Sequence, residues 1–228
     1  MGQKVNPNAF RLGISKTWNS KWFAPKGEYV DLLKKDHAIR VYLKKNLNKH
    51  FVDRTEIEIE KKKMNIIIYT ARPGVVIGKR GEGVDLLKKE IQKIVNNKTI
   101  NINITVKEIT HADLSAEIVL EQARIEVERR IPFKRVMKKM IDKVKQAGAK
   151  GVKINMSGRL NGVDIARSET LIHGSIPLHT IRADVDYANG YAHTIYGSVG
   201  IKVWIYKGLV FDKKDKKKME NNSRIDNK

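Results

Sequence analysis

The 228-residue chain has no cysteine, which excludes disulfides, thiolate metal sites and a cysteine nucleophile. Long apolar runs are also missing. Ile66-Ile67-Ile68 is typical of the longest, far short of the roughly 20 residues that cross a bilayer. The opening MGQKVNPNAF lacks the apolar core of a signal peptide. Asn6 stands where a myristoylation pattern needs Ser or Thr. The six histidines show no metal-ligand pairing at helical spacing, and no repeat recurs at a solenoid period. These absences predict a soluble protein kept inside the cell, away from membranes, with no metal or other cofactor.

Acidic residues are in short supply. Twenty-five Asp and Glu face 46 Lys and Arg, which gives a net charge of +21 and a pI near 10.0. Such an excess repels itself in a compact fold and is best tolerated beside a polyanion. The cations are spread over tails, loops and several helices instead of one amphipathic anchor, which favours nucleic acid over a membrane surface.

Along the chain, residues 1–16 read as a basic arm too poor in apolar residues for a core of its own, ordering on a partner. Trp18, Trp22 and Phe23 follow among lysines, suited either to base stacking or to docking the arm on its own domain. A helix is predicted from Glu28 to about Asn48, with Val30, Leu33, His37, Ile39, Tyr42, Leu43 and Leu47 along its apolar stripe. Alternation around Ile57-Ile59 and Ile66–Tyr69 predicts two antiparallel strands, and Pro73-Gly74 ends the second. A single apolar turn, a glycine-bracketed loop, a helix through Val84, Leu87, Ile91 and Ile94, and a strand over 99–107 complete a first domain, 17–108. The second, 109–208, begins with two helices, one of them opened by Pro132 and closed by Gly148. Strands are predicted over 151–159, 163–173, 181–187 and 192–206, with Asn161-Gly162 as a hairpin turn. The expected class is α+β, with two helices packed on a mainly antiparallel sheet in the second domain. Residues 209–228 form an aperiodic basic tail, expected to be disordered when free.

Gly78-Lys79-Arg80-Gly81 is the motif with the most chemistry. A nucleoside-triphosphate loop needs four residues between its first glycine and a Gly-Lys pair, then a hydroxyl for magnesium. Gly74 and Gly78 enclose three, and Arg80 occupies the hydroxyl position. A dinucleotide fingerprint fails for want of a third glycine. A KH loop fits, because Gly-x-x-Gly between two helices lets backbone press against a nucleic-acid backbone while Lys79 and Arg80 meet phosphates. The N-terminus of the following helix would add its dipole. Four residues alone are weak; the order helix, strand, strand, short helix, loop, helix, strand is that of a type II KH domain with a three-stranded sheet.

A second cationic element follows Pro132. Its inward stripe leaves Arg135, Lys139 and Lys143 stacked at intervals of four, with Lys134 and Lys138 beside them. Like charges so placed disfavour an isolated helix, so an anionic partner is the expected compensation. Asp184 and Asp186 share a strand face and could hold a divalent ion, although pairing with local cations is the commoner arrangement. No Ser, His and acid grouping can be assembled from spacing.

The stretches MGQKVNPNAFRLGI, NSKWFA, TARPGVVIGKRGE, GAKGVKINMSGRLNGVDIAR, PLHTIRADVDY and YGSVGIKVWIYKG, in that order, closely resemble the family of small ribosomal subunit protein three in its bacterial form. The resemblance runs from Met1 to about Gly208. It implies a non-enzymatic structural component of the small-subunit head, cytoplasmic, that binds rRNA. With proteins four and five it would line the channel through which mRNA enters, and it would neighbour proteins ten and fourteen, with protein two nearby. FKRVMKK occupies the place of the family's mRNA-facing helix, so Lys134, Arg135, Lys138 and Lys139 become mRNA-binding candidates. Lysine replaces part of an arginine-rich pattern there, which weakens bidentate phosphate contact. By motif position and charge, Lys4, Asn6, Arg11, Lys16 and Trp22 near the N-terminus, and Arg159, Arg167, His179 and Arg182 further on, are rRNA-binding candidates. The alternative is a nucleic-acid repair lyase or nuclease, an activity described for some eukaryotic relatives. The bacterial character of the motifs argues against carrying it over.

Overall fold

In the computed structural model, the residues described are 4–47, 50–60, 63–95 and 100–210. Nearly all of the expected C-terminal tail, residues 211–228, lies outside them. Two four-stranded sheets each carry helices on one face, and each builds its own apolar core.

The first sheet runs β1 (Ser20–Lys21), β2 (Val52–Glu60), β3 (Lys63–Thr70), β4 (Asn101–Glu108). β2 and β3 pair antiparallel, while β3 and β4 run parallel, so the chain between those two must cross over. Helices α3 (Pro73–Ile77) and α4 (Glu82–Val95) make that crossing. In β3, Met64, Ile66 and Ile68 alternate inward as a half-buried strand should. They meet Ile39, Leu43 and Leu47 of α2 (Tyr29–Leu47) and Leu87, Ile91 and Val95 of α4. The expected helix and strand order is present, and the two-residue β1 adds a short parallel edge. One part of the α2 stripe does not close. Val30 and Leu33 remain exposed, because the buried face of this helix starts only at Asp36, which Ser20 and Arg40 bind.

The second sheet has the order β6-β5-β8-β7 and is antiparallel throughout: β5 (Gly151–Gly158), β6 (Arg167–Gly174), β7 (Ala183–Thr194), β8 (Gly197–Leu209). Helices α5 (Ala116–Glu128) and α6 (Phe133–Gln146) cover one face. Sequence spacing divides this sheet in the wrong place at 188–191. Asn189-Gly190 looks like a turn but lies inside β7, paired with Lys202 and Ile201. Gly190 is there because a Cβ would stand 2.9 Å from Leu120 Cδ2 of α5. The chain reverses instead at Ile195-Tyr196. Asn161-Gly162 does turn, with both residues at positive φ, but β6 begins only at Arg167.

The arm is the larger departure. Its described part, from residue 4, forms α1 (Pro7–Phe10), capped by the Asn6 side chain, and docks on β7 of its own chain. Arg11 is fully buried, its guanidinium donating to the carbonyls of Pro7, Pro177, Leu178, Thr180 and Ala183. The guanidinium fork can satisfy five carbonyls at once where a lysine could not. Burial outweighs nearby Asp184 and lowers its pKa.

Domain contact is polar. Ser115 caps α5 and also bonds Asp53 of β2, while Asp186 of β7 accepts from the Ala116 N–H at 3.0 Å and pairs with Lys16 and Lys207. Burial pushes the Asp186 carboxyl up, but Lys207, Lys16 and that N–H together hold it below its usual range. Asp186 therefore ties arm, sheet and helix together, the ion-pair role and not the metal role. Among the described residues no group of three or more His, Asp and Glu could hold a metal ion. Also among them, no helix is long and apolar enough to cross a membrane.

Candidate nucleic-acid interface

The glycine loop is built by backbone conformation. α3 stops at Gly78, whose φ of 72° and ψ of −176° are open essentially to glycine alone. Lys79 follows, then Arg80 in the left-handed region at φ 53° and ψ 20°, then Gly81 at φ 86°. A non-glycine residue held left-handed costs about 1–2 kcal/mol, so the surrounding turn must impose it on Arg80. Gly83 does so in part. A Cβ there would stand 2.5 Å from the Val76 carbonyl oxygen and 2.9 Å from that of Ile77, so only glycine lets α3 and α4 close on each other. Gly83 drew notice in the sequence only as part of a failed dinucleotide fingerprint; its structural use is a contact that spacing cannot show.

Lys79 and Arg80 are exposed and make no ion pair or side-chain hydrogen bond among the described residues. The expected contribution of the α4 N-terminus is weaker than the sequence suggests. Glu82 and Asp85 occupy its first turn and already complement its dipole. The anion-binding capacity of this loop therefore rests on its two side chains.

The second cationic surface is α6. Phe133, Val136, Met137, Met140 and Val144 are buried against the second sheet, so the opposite side of the helix faces outward by its own period. Lys134, Arg135, Lys138 and Lys139 lie exposed along a shallow groove that also touches Asp142, Lys143 and Gln146. Two members of the basic row are compensated from within. Lys139 pairs with Glu126 and Lys143 bonds Gln122 at 2.8 Å, both partners on α5. Lys134, Arg135 and Lys138 have no such partner among the described residues, so the unmet positive charge concentrates at the start of the helix.

The remaining candidates are scattered. Lys4, His179 and Arg182 are exposed. Arg159 closes its own loop by bonding Val163, Tyr196 and Asp164, and Arg167 pairs with Glu169 at 3.3 Å. Asn6 is a helix cap, and Lys16 is held by Asn8 and Asp186. Trp22 packs its ring 5.4 Å from that of Tyr29, with its buried indole N–H unpartnered, whereas Trp18 and Phe23 stay exposed. The aromatics thus divide between docking and display. Arg11 is fully buried with its guanidinium turned onto five carbonyls of its own chain, so the contact that the structure shows for it is a structural one.

A type II arrangement of helices and strands around a Gly-x-x-Gly cationic loop, joined to an α+β domain with a basic outer helix, defines a two-domain KH protein. Comparison with known families agrees for both halves: the KH domain model matches residues 38–114, and that of ribosomal protein S3, C-terminal domain, matches 124–205. The chain is 47% identical to small ribosomal subunit protein uS3 of Chromobacterium violaceum, over 91% of this chain and 88% of that one. It is 47% identical to the uS3 of Caldicellulosiruptor saccharolyticus (94% and 96% covered) and 49% to that of Oenococcus oeni (91% and 79%). The chain belongs to the small ribosomal subunit protein uS3 family.

Proposed function

We propose that this chain is a structural, non-enzymatic RNA-binding component of the small ribosomal subunit head in the cytoplasm. It binds rRNA and, beside proteins four and five, helps line the channel through which mRNA enters. Proteins ten and fourteen are its neighbours, with protein two close by. Lys134, Arg135, Lys138 and Lys139 meet incoming mRNA and help open its secondary structure as the ribosome moves. Lys79 and Arg80, between Gly78 and Gly81, grip a phosphate backbone. For rRNA the exposed side chains of Lys4, His179 and Arg182 lead, followed by Arg159 and Arg167 at the rims of their loops. Asn6, Lys16 and Trp22 serve that contact by holding their segment in place.

The observation that carries the reading is the outward face of α6, where Lys134, Arg135 and Lys138 lack partners among the described residues while the opposite face is packed. Nothing favours the lyase alternative. Lys153 is a lysine whose pKa burial lowers, helped by Lys4, yet it lies over the Trp204 ring and among the described residues no acid pairs with it.

Two measurements test the proposal. Replacing Lys134, Arg135 and Lys138 by Ala should leave co-sedimentation with small subunits intact and slow translation through mRNA hairpins. In a binding assay, the slope of log affinity against log salt should become shallower by about 2, at roughly 0.7 for each single-strand phosphate contact. Equal speed on structured and unstructured messages would refute the mRNA role, and absence of the protein from purified small subunits would refute the whole reading.

A further inference from the structure

The second sheet has one face on which neither α5 nor α6 packs. Since paired residues share a face, its outward positions can be read directly from the register. One row crosses the strands as Ile172, Lys153, Trp204 and Tyr187. The next reads Thr170, Asn155, Lys202 and Asn189. A third reads Ser168, Ser157, Gly200 and Tyr191. Contacts bear out the placement: the Tyr187 and Trp204 rings lie 5.2 Å apart, Lys153 Nζ sits 5.1 Å from the centre of Trp204, and Asn155 donates to Ser168 and Thr170 at 2.9 and 2.7 Å.

Three properties of this face point the same way. None of its outward positions is Asp or Glu, so it is positive through Lys153 and Lys202, with Lys4 of the arm near Lys153. Aromatic rings stand at two levels along it, Tyr187 with Trp204 and then Tyr191, which is 65% exposed. Between the edge of Tyr191 and the hydroxyl of Ser157 lies Gly200, where a Cβ would be 3.8 Å from the ring and 3.0 Å from that oxygen. The missing side chain leaves a shallow floor beside the exposed Tyr191 ring.

We infer that this face is a third RNA surface, a platform on which a short single-stranded segment lays its bases. Tyr191 stacks one base over the Gly200 floor, the Trp204 and Tyr187 pair supports another, and Lys202 and Lys153 meet the phosphates. Asn155, Thr170 and Asn189 offer hydrogen bonds to base edges. A four-stranded antiparallel sheet with helices behind and aromatics in front suits single strands, because only unstacked bases can lie flat on the rings. A protein partner fits less well, since the centre of a protein interface is depleted in lysine, whereas Lys202 lies in the middle of this face. The inference goes beyond the proposed function, to which the face adds a preference for unpaired RNA.

The test uses the full-length protein carrying Lys79→Ala, Arg80→Ala, Lys134→Ala, Arg135→Ala and Lys138→Ala, so that the other two surfaces do not mask the result. Affinity is measured by anisotropy for a labelled oligouridine of about eight nucleotides and for a duplex of the same length. Tyr191→Ala should weaken single-strand binding by about tenfold, the scale of one lost stacking contact, while Tyr191→Phe keeps it and duplex binding changes little. Equal binding by Tyr191→Ala would overturn the platform and leave the ribosomal reading standing. Tyr191→Ala protein that binds RNA normally but is lost from purified small subunits would give the face to a neighbouring protein, and would overturn it too. Failure of the unsubstituted protein to bind any RNA would remove the proposed function itself.

Discussion

Two basic segments of this chain look alike in sequence and behave in opposite ways. The N-terminal arm and helix α6 both alternate cations with apolar residues. Arg11 of the arm turns inward and takes five carbonyl oxygens, while Arg135 of α6 turns outward and takes none among the described residues. The difference lies in what faces each cation. Around Arg11 the segment 177–183 bends so that its carbonyls converge, and bare backbone oxygens need a donor as much as the donor needs them. Among the described residues the one acidic partner that α5 offers α6 is Glu126, which one lysine occupies. Positive charge in a sequence therefore marks a demand for oxygen, and whether backbone or phosphate meets it depends on chain far away in sequence.

The sharpest way to break this comparison is at Arg11. Arg11→Ala would strand several buried carbonyls, each costing about 1–3 kcal/mol, so a loss on the order of 4 kcal/mol of stability is expected. Urea unfolding measures it, and limited proteolysis should show the arm released. Arg11→Lys should fail nearly as badly, because one ammonium cannot span five carbonyls. If Arg11 worked mainly as a phosphate contact, the lysine variant would instead keep both stability and RNA affinity.

Gly83 allows the same contrast to be drawn inside the KH domain, with a smaller effect. Gly83→Ala places a methyl against the Val76 and Ile77 carbonyls and must push α3 from α4, at a cost of about 1–3 kcal/mol. Crosslinking of RNA from Lys79 should fall with it, since the loop hangs between those helices. Lys79→Ala with Arg80→Ala should do the reverse, changing stability by less than about 0.5 kcal/mol while lowering RNA affinity. Were both variants to lose stability alike, the loop cations would have an internal role that the structure does not give them.

How much of this was legible beforehand follows the same division. Local signals carried well. The 3.6-residue period of α6 fixed which cations face outward, the glycine spacing marked the loop, and alternation placed β2, β3 and β4. Signals that depend on a distant neighbour did not. Gly190 resembles a turn residue until Leu120 is known to press on it, and Gly83 is unremarkable until Val76 lies across from it. Val30 and Leu33 fit a helical stripe, but both stay exposed because the buried face of α2 begins only at Asp36. The open face of the second sheet belongs to this group, because its rows exist only after four strands from across 151–209 come into register.

The smallest expected effect tests the joint between the domains, where inward-turned charge is not satisfied. Glu117 on α5 lies near Lys44, Asp53, Asp186 and Arg124, and burial first, then Asp53 and Asp186, raises its pKa against the pull of Lys44 and Arg124. A raised carboxyl favours its protonated form in the folded state. Its ionisation therefore costs stability at neutral pH, and that cost disappears once pH falls below the unfolded value of about 4.3. Asp186, held low by Lys207 and Lys16, has the opposite sign and contributes stability that is lost on acidification. Glu117→Gln should accordingly raise the melting temperature at pH 7, with the gain fading towards pH 4, whereas Asp186→Asn should lower it at pH 7. A melting temperature for Glu117→Gln that is lower than that of the parent at neutral pH would mean the carboxylate is a needed anion between the domains, and that the joint, like Arg11, is fully matched.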